Sequence, residues 1–275
     1  MFKLSRCFGF FLELYSMKMI MFFFLFFWFV RCTSNSSNQQ SSYQGDFYFV
    51  EKKTSVQESK DSLDILVQEN YIDSVLLLNN LIDVNSVNRD IWFDMKYYST
   101  DNFMHIKLYE RINRPFLQKE VADRLSKCQE YLCSIDTSLH LFIYDALRPV
   151  SVQWKIWKAL DTIPIGEREK YASNPINKSV HNFGAAVDLT ICNSKRVPLD
   201  MGAGFDEFRK IAYPSMENYF LSQGELTIQQ VENRKLLRKV MRSQAFRNLP
   251  TEWWHFNACS RADALIKYQV IENEP

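Results

Sequence analysis

The sequence predicts an α+β fold: a single domain whose central sheet is mostly antiparallel and flanked by helices. Three observations lead there. Apolar runs rich in β-formers stand at "LHLFIYDA" (139 to 146), "AVDLTIC" (186 to 192) and "WWHF" (253 to 256), near Pro149, Gly184 and Pro250 respectively. Stretches with apolar residues at helical spacing fill much of the remainder. These strands and helices do not alternate regularly, which disfavours a parallel sheet built from βαβ units.

The chain has 275 residues, enough for one or two domains with a sizeable core. Its net charge of +1 provides no basic field for nucleic acid. At the start, "MKMIMFFFLFFWFVRC" (17 to 32) begins with Lys18 and continues as an apolar run from Met19 to Val30. That run is too short for a comfortable membrane span and suits an export signal starting at Met17. A Ser/Asn/Gln-rich tether, "TSNSSNQQSSYQG", follows Cys32. A hydrophobic run ending at a cysteine and then a polar tether resembles a bacterial lipoprotein signal, although Arg31 stands where a small residue is usual. A plain cleaved signal or an uncleaved anchor is the alternative. The expected division is 1–32 signal, 33–45 tether and 46–275 catalytic domain. It implies export to the periplasm or cell envelope, with any membrane attachment through the N-terminus alone, by a lipid at Cys32.

Within the body, residues 118 to 133 suit a helix with the stripe Val121, Leu125, Cys128 and Leu132 turned inward. Cys128 on that stripe reads as a buried free thiol. The strand 139 to 146 runs toward Pro149, which stops it. A helix over 151 to 160 carries Trp154 and Trp157 on one face. The strand 186 to 192 comes next. Residues 231 to 246 form an amphipathic helix with Leu236, Leu237, Val240 and Met241 inward. Pro250 breaks the chain before the strand "WWHF", whose tryptophans read as core beneath a site. No CxxC pair is present, which argues against a thiolate metal cluster.

The chemistry concentrates in "SVHNFGAAVDLT" (179 to 190) and "LPTEWWHF" (249 to 256). Imidazole and carboxylate are both common zinc ligands, at about 2.0 to 2.2 Å. Gly184 and the β-formers after it exclude a helix between His181 and Asp188. His181 is therefore expected on a loop that folds back over small residues, with Asp188 on the following strand. His255 supplies a third ligand. Residues three apart on a strand face opposite sides, so Glu252 is expected ahead of the strand, where Pro250 already bends the chain. Three protein ligands leave a fourth position open, the mark of a catalytic site at which a water's pKa falls to about 7. Glu252 is placed to take that water's proton and pass it to a leaving amine. Arg148, at the end of "YDALRPV", suits an oxyanion developing on a carbonyl, and Asp145 is placed to orient it. Taken singly, a histidine on a strand is more often a hydrogen-bonded core or surface residue than a ligand, Arg148 is more often a salt-bridge residue, and Asp145 reads as a helix cap. The combination is far more specific.

The blocks "SVHNFGAAVDLT", "TEWWHF" and "YDALRPV" resemble the signatures of the D-alanyl-D-alanine dipeptidases. These are zinc peptidases associated with vancomycin resistance and peptidoglycan-dipeptide turnover. They share a wider group with D,D-carboxypeptidases, murein endopeptidases and the hedgehog signalling domain. "FDMKYYSTDNFM" (93 to 104) and "PLDMGAGFDEF" (198 to 208) are similar to dipeptidase blocks in particular. The resemblance spans roughly residues 65 to 260. It implies one Zn2+ per chain held by His181, Asp188 and His255 at the sheet, with Glu252 as base and Arg148 stabilising the transition state. It implies a small D-amino-acid dipeptide as substrate, its ammonium held by Ser179 and Asp206. Asp206 could equally cap a helix starting near "EFRK". The chain departs from the pattern at "QAF" (244 to 246), where relatives tend to have a glycine at the helix end. Cys192 and Cys259 each lie four residues past a ligand, but equal offsets on antiparallel neighbours move apart, so no bridge is expected. Three rivals remain: a peptidoglycan carboxypeptidase or endopeptidase, a zinc-stabilised binding or signalling module without catalysis, and metal-dependent processing of another small D-amino-acid peptide.

Overall fold

The computed structural model describes residues 44–275, with side chains from residue 61 onward. The segment expected to direct export, Cys32 and the tether through residue 43 lie outside the described residues. Ser55–Pro275 forms one compact unit. No helix among the described residues is long and apolar enough to cross a membrane.

In chain order, helix α1 (Gln44–Leu77) leads into strand β1 (Leu81–Asp83), the single turn α2 (Val84–Val87) and the short strand β2 (Trp92–Phe93). Strand β3 (Phe116–Gln118) pairs antiparallel with β1 as a separate ribbon. Helix α3 (Lys119–Ile135) then buries Val121, Leu125, Cys128 and Leu132, the stripe read from the sequence. Strand β4 (Leu139–Asp145), helix α4 (Val150–Ala159) and strand β5 (Ala186–Asn193) lie within a residue or so of their expected spans. After the short α5 (Glu217–Ser222), helix α6 (Ile228–Arg242) starts on a capping box from Thr227 to Gln230. It ends four residues earlier than expected, and Ala245 follows in the left-handed region with φ +59°. Leu237, Val240 and Met241 are buried, and Leu236 packs partly against the core.

Strand β6 (Arg247–Leu249), absent from the sequence reading, forms a hairpin with β7 (Glu252–Asn257), and α7 (Arg261–Lys267) follows. The main sheet has the order β2-β4-β5-β7-β6. Only β2 runs parallel to its neighbour, so the sheet is mainly antiparallel. Helices α3 and α6 pack on each other and on β4 and β5. Each fully buried Leu or Ile of this layer contributes about 1.5 to 3 kcal/mol of transfer free energy. All four cysteines of the body are free thiols, Cys128 and Cys192 buried.

One consequence of register matters most. Asp145 on β4 sits opposite Asp188 on β5, and Asp188 sits opposite His255 on β7. Opposed residues project to the same face. Three of the residues singled out by the sequence thus form one row across the central strands.

Candidate active site

His181 joins that row from a 3-10 turn, Val180–Phe183. Ser179 caps the turn: its Oγ accepts from the His181 amide at 3.4 Å, and Asn182 Oδ1 accepts from the Ser179 amide at 2.6 Å. Gly184 ends the turn at φ +64°, and a Cβ there would meet the Leu81 side chain at 2.3 Å. The turn therefore needs glycine for its backbone and for space.

His181 Nε2, His255 Nδ1 and Asp188 Oδ1 converge. The separations are 3.2 Å between the imidazoles, 3.3 Å from His181 to the carboxylate and 2.8 Å from His255 to it. The outer nitrogens define the tautomers. His181 Nδ1–H donates to the Ala146 carbonyl at 2.6 Å, and His255 Nε2–H to Asn257 Oδ1 at 3.0 Å. The inner nitrogens consequently carry lone pairs. Three lone-pair atoms facing one another repel unless a cation lies among them. Ligands about 2.0 to 2.2 Å from a tetrahedral ion stand about 3.3 to 3.6 Å apart; the two separations from His181 are close to that, and the one between His255 and Asp188, at 2.8 Å, is shorter. The set fits a metal ion, and its ligand atoms all lie within 4.8 Å of one another. Burial acts to raise the Asp188 carboxyl, but positive charge on His181 and His255, when they are protonated, outweighs it and holds the carboxyl well below the usual range.

Arg148 sits beside this cluster, 8 % exposed. Its Nε donates to Asp145 Oδ2 at 2.8 Å, its Nη1 to Gln153 Oε1 at 3.1 Å and its Nη2 to Asp188 Oδ2 at 3.2 Å. The Tyr97 ring lies 5.0 Å from the guanidinium carbon. Burial opposes the charge, yet Asp145, then Tyr97 and Asp188, hold the guanidinium firmly protonated. Asp145 is fully buried and also accepts from the Tyr109 hydroxyl at 2.7 Å. The orientation of Arg148 by Asp145 is thus a direct contact, as the spacing suggested.

Glu252 corrects an expectation. It does not precede the strand but opens it, as the first residue of β7. The reconciliation is an irregularity in the hairpin: Asn248 pairs with Phe256, but Leu249 pairs with Glu252 instead of continuing the register. The interruption frees Glu252 from strict alternation. Its carboxylate comes within 3.9 Å of His255 Nδ1, with 38 % of the side chain exposed to the cavity. The surrounding protein raises its carboxyl by burial, partly countered by His255.

These groups line a cavity of about 350 Å3 together with Tyr97, Phe103, Ser179, Asp206 and Trp254. That volume is at the small end for ligand sites, which run from about 300 to 1,000 Å3. Only a 3-10 turn, Lys210–Ala212, starts in "EFRK", and its cap position is Arg209, so the capping role for Asp206 falls away. Instead Asp206 stands at φ +58° and its two oxygens accept from the Tyr97 hydroxyl at 3.1 and 3.0 Å. Burial first, then the Asp188 charge, pushes its carboxyl well above the usual range. Tyr97 and Phe103 belong to "FDMKYYSTDNFM" and close this side of the cavity. Trp253 and Trp254 are both 3 % exposed, and their rings meet edge-on at 5.5 Å.

Sequence reasoning missed Tyr97, Tyr109, Gln153, Asn182 and Asn257. The Ser179–Asn182 spacing is a capping-box signature and could have marked Asn182. The two tyrosines carry no local signal, because their partners lie 109 and 36 residues away.

Comparison with known proteins agrees with this geometry. A family profile described as D-ala-D-ala dipeptidase matches residues 78–272. A D-alanyl-D-alanine dipeptidase of Escherichia coli is 32 % identical over 179 residues, covering 64 % of this chain and 83 % of its own. Proteins of the same name from Synechocystis (28 % identical over 189 residues, 58 % of this chain and 74 % of its own) and Enterococcus faecalis (26 % over 194, 65 % and 91 %) are also similar. The matched region contains every residue of the metal cluster and its surroundings, and the chain belongs to the D-Ala-D-Ala dipeptidase family of metallopeptidases.

Proposed function

We propose that this protein is an exported zinc dipeptidase that hydrolyses D-alanyl-D-alanine to free D-alanine. The observation that carries the reading is the convergence of His181, Asp188 and His255 in a small cavity that also holds Glu252, Arg148 and Asp206. Two imidazoles and a carboxylate form a ligand set suited to Zn2+. When bound, the ion would supply Lewis acidity to the scissile carbonyl and to a water molecule.

The protein's own groups do the rest. Glu252 takes a proton from the attacking water as its oxygen bonds to the carbonyl carbon. It delivers that proton to the leaving amine as the C–N bond breaks. Arg148, fixed by Asp145 and Gln153, stabilises the negative charge that grows on the carbonyl oxygen. Asp206, supported by Tyr97, receives the substrate ammonium, with Ser179 beside it. A site that anchors the free amine measures the distance from the N-terminus to the scissile bond. Tyr97 and Phe103 limit the room for longer chains, which favours a dipeptide over the extended substrates of a carboxypeptidase or endopeptidase. The carboxylate beside the metal cluster favours catalysis over a purely structural zinc module.

The test is release of D-alanine from D-Ala-D-Ala against release from a D-Ala-D-Ala-terminated pentapeptide. Preference for the pentapeptide would overturn the dipeptidase reading in favour of a carboxypeptidase. Elemental analysis of purified protein tests the choice of zinc. Export rests on residues 1–32 and lipid attachment on Cys32. If both hold, native protein fractionates with the envelope and Cys32→Ser releases it from membranes. Unchanged association in Cys32→Ser would indicate an uncleaved anchor.

A further inference from the structure

Val270–Pro275 follows α7, lines no part of the cavity and extends past the family match, yet it contacts backbone next to several residues of the proposed mechanism. The Ile271 amide donates to the carbonyl of Asn182, the neighbour of His181, at 2.9 Å. The Ile271 and Glu272 carbonyls accept from the amides of Val150 and Ser151 at 2.9 and 2.8 Å. Those are the first N–H groups of α4, which a helix cannot satisfy internally, and Pro149 offers no capping side chain. Asn182 ties the two sites together by donating through Nδ2 to the Arg148 carbonyl at 2.6 Å. The Glu272 carboxylate accepts from Lys178 Nζ at 3.0 Å, one residue before Ser179. Ile271 is 8 % exposed and anchors the segment in the core.

Glu274 completes the set. Its carboxylate accepts from three successive amides, Glu110, Arg111 and Ile112, at 2.9, 3.1 and 3.0 Å. Three N–H groups aimed at one carboxylate form a fixed nest that no other described side chain occupies. The residue before the nest is Tyr109, whose hydroxyl donates to Asp145 Oδ1 and is 3.0 Å from the Leu147 carbonyl. Asp145 in turn holds Arg148.

We propose that Val270–Pro275 is a positioning strap. Through Glu274 and the Glu110–Ile112 nest it fixes Tyr109, and through Tyr109 and Asp145 it fixes the guanidinium of Arg148. Its main chain sets the start of α4 and the His181 turn from the other side. The functional half of this inference rests on the dipeptidase reading; the structural half does not.

The structural half is read by amide hydrogen exchange in the full-length protein. Glu274→Ala should speed exchange at Glu110–Ile112, and unchanged protection there would overturn the strap. The functional half is read by kinetics on D-Ala-D-Ala, normalised to metal content. Misplacement by about an ångström costs up to about 100-fold, so Glu274→Ala should lower kcat by about 10-fold or more with KM within about twofold. Glu274→Gln keeps one acceptor oxygen and should recover most of the loss. In an Arg148→Ala background, Glu274→Ala should cost nothing further. An equal loss in both backgrounds would overturn the route through Arg148. If wild-type protein left D-Ala-D-Ala uncleaved, the substrate reading would fail, and the exchange measurement would still decide the strap.

Discussion

The two walls of the cavity are built differently. One is the sheet: Asp145, Asp188 and His255 lie in a row across β4, β5 and β7, their spacing set by ladder hydrogen bonds, and His181 is locked against them by a capped turn. The other is made of irregular chain. Phe103, Tyr171 and Phe208 hold it through edge contacts at 4.8 and 5.0 Å, and Asp206 stands there in left-handed backbone. Under the proposed function, the contrast follows from what each wall would do. Metal ligands need fixed separations to a few tenths of an ångström, and register provides them. Recognition of a small substrate's ammonium needs a charge in the right place, which a loop supported by aromatic packing can supply.

The largest effects should come from the sheet wall. His181→Ala, Asp188→Ala and His255→Ala should each strip the metal and abolish hydrolysis, with elemental analysis as the readout. Full metal content in all three variants would break the assignment. Next come the groups beside the cluster that do not ligate. Glu252→Gln should keep its metal while losing about 100- to 10,000-fold in turnover. Arg148→Ala should also keep its metal and lose on the order of 100- to 1,000-fold. Near wild-type turnover in metal-loaded Glu252→Gln would show that the proton shuttle lies elsewhere.

The loop wall should respond in a different parameter. Asp206→Asn keeps the shape and removes the carboxyl that would become charged once a bound ammonium offsets the burial and the Asp188 charge opposing it. A charged hydrogen bond contributes about 1.5 to 3 kcal/mol, so kcat/KM should fall by about 10- to 100-fold, chiefly through KM. Loss of metal from this variant would erase the distinction between the walls. The smallest effect lies away from both. Ala245 stands at φ +59° after α6, a conformation that costs an L-residue roughly 1 to 2 kcal/mol. Ala245→Gly should therefore raise the melting temperature by a few degrees and leave kinetics untouched. A lower melting temperature would mean that the Ala245 methyl group contributes more through packing than its backbone costs.

Local pattern made much of this protein legible. Helices α3, α4 and α6 and strands β4, β5 and β7 follow from periodicity, because each buries one stripe or run of apolar residues. The candidate site residues stand in short segments for a similar reason: His181 and Asp188 flank one turn, and Glu252 and His255 share one strand. Two local rules gave way to context. Alternation along β7 predicts opposite faces for Glu252 and His255, and only the interrupted pairing with β6 brings both to the cavity. Asp206 reads equally as a helix cap and as a substrate-binding residue, and it lines the cavity with Tyr97 reaching it from 109 positions away.

By itself, then, the sequence determined which residues carry charge, lone pairs and apolar surface, and which short elements they form, since these depend on neighbours a few positions apart. Tertiary structure alone decided the row from Asp145 through Asp188 to His255, the contact of Arg148 with Asp188 and the seat of Glu274. The last of these is a carboxylate held by amides 162 to 164 residues back in the chain. The physical reason is the same throughout. Such contacts form only once a common core has absorbed the loop-closure entropy that separates them, and no local preference records where that closure brings the chain.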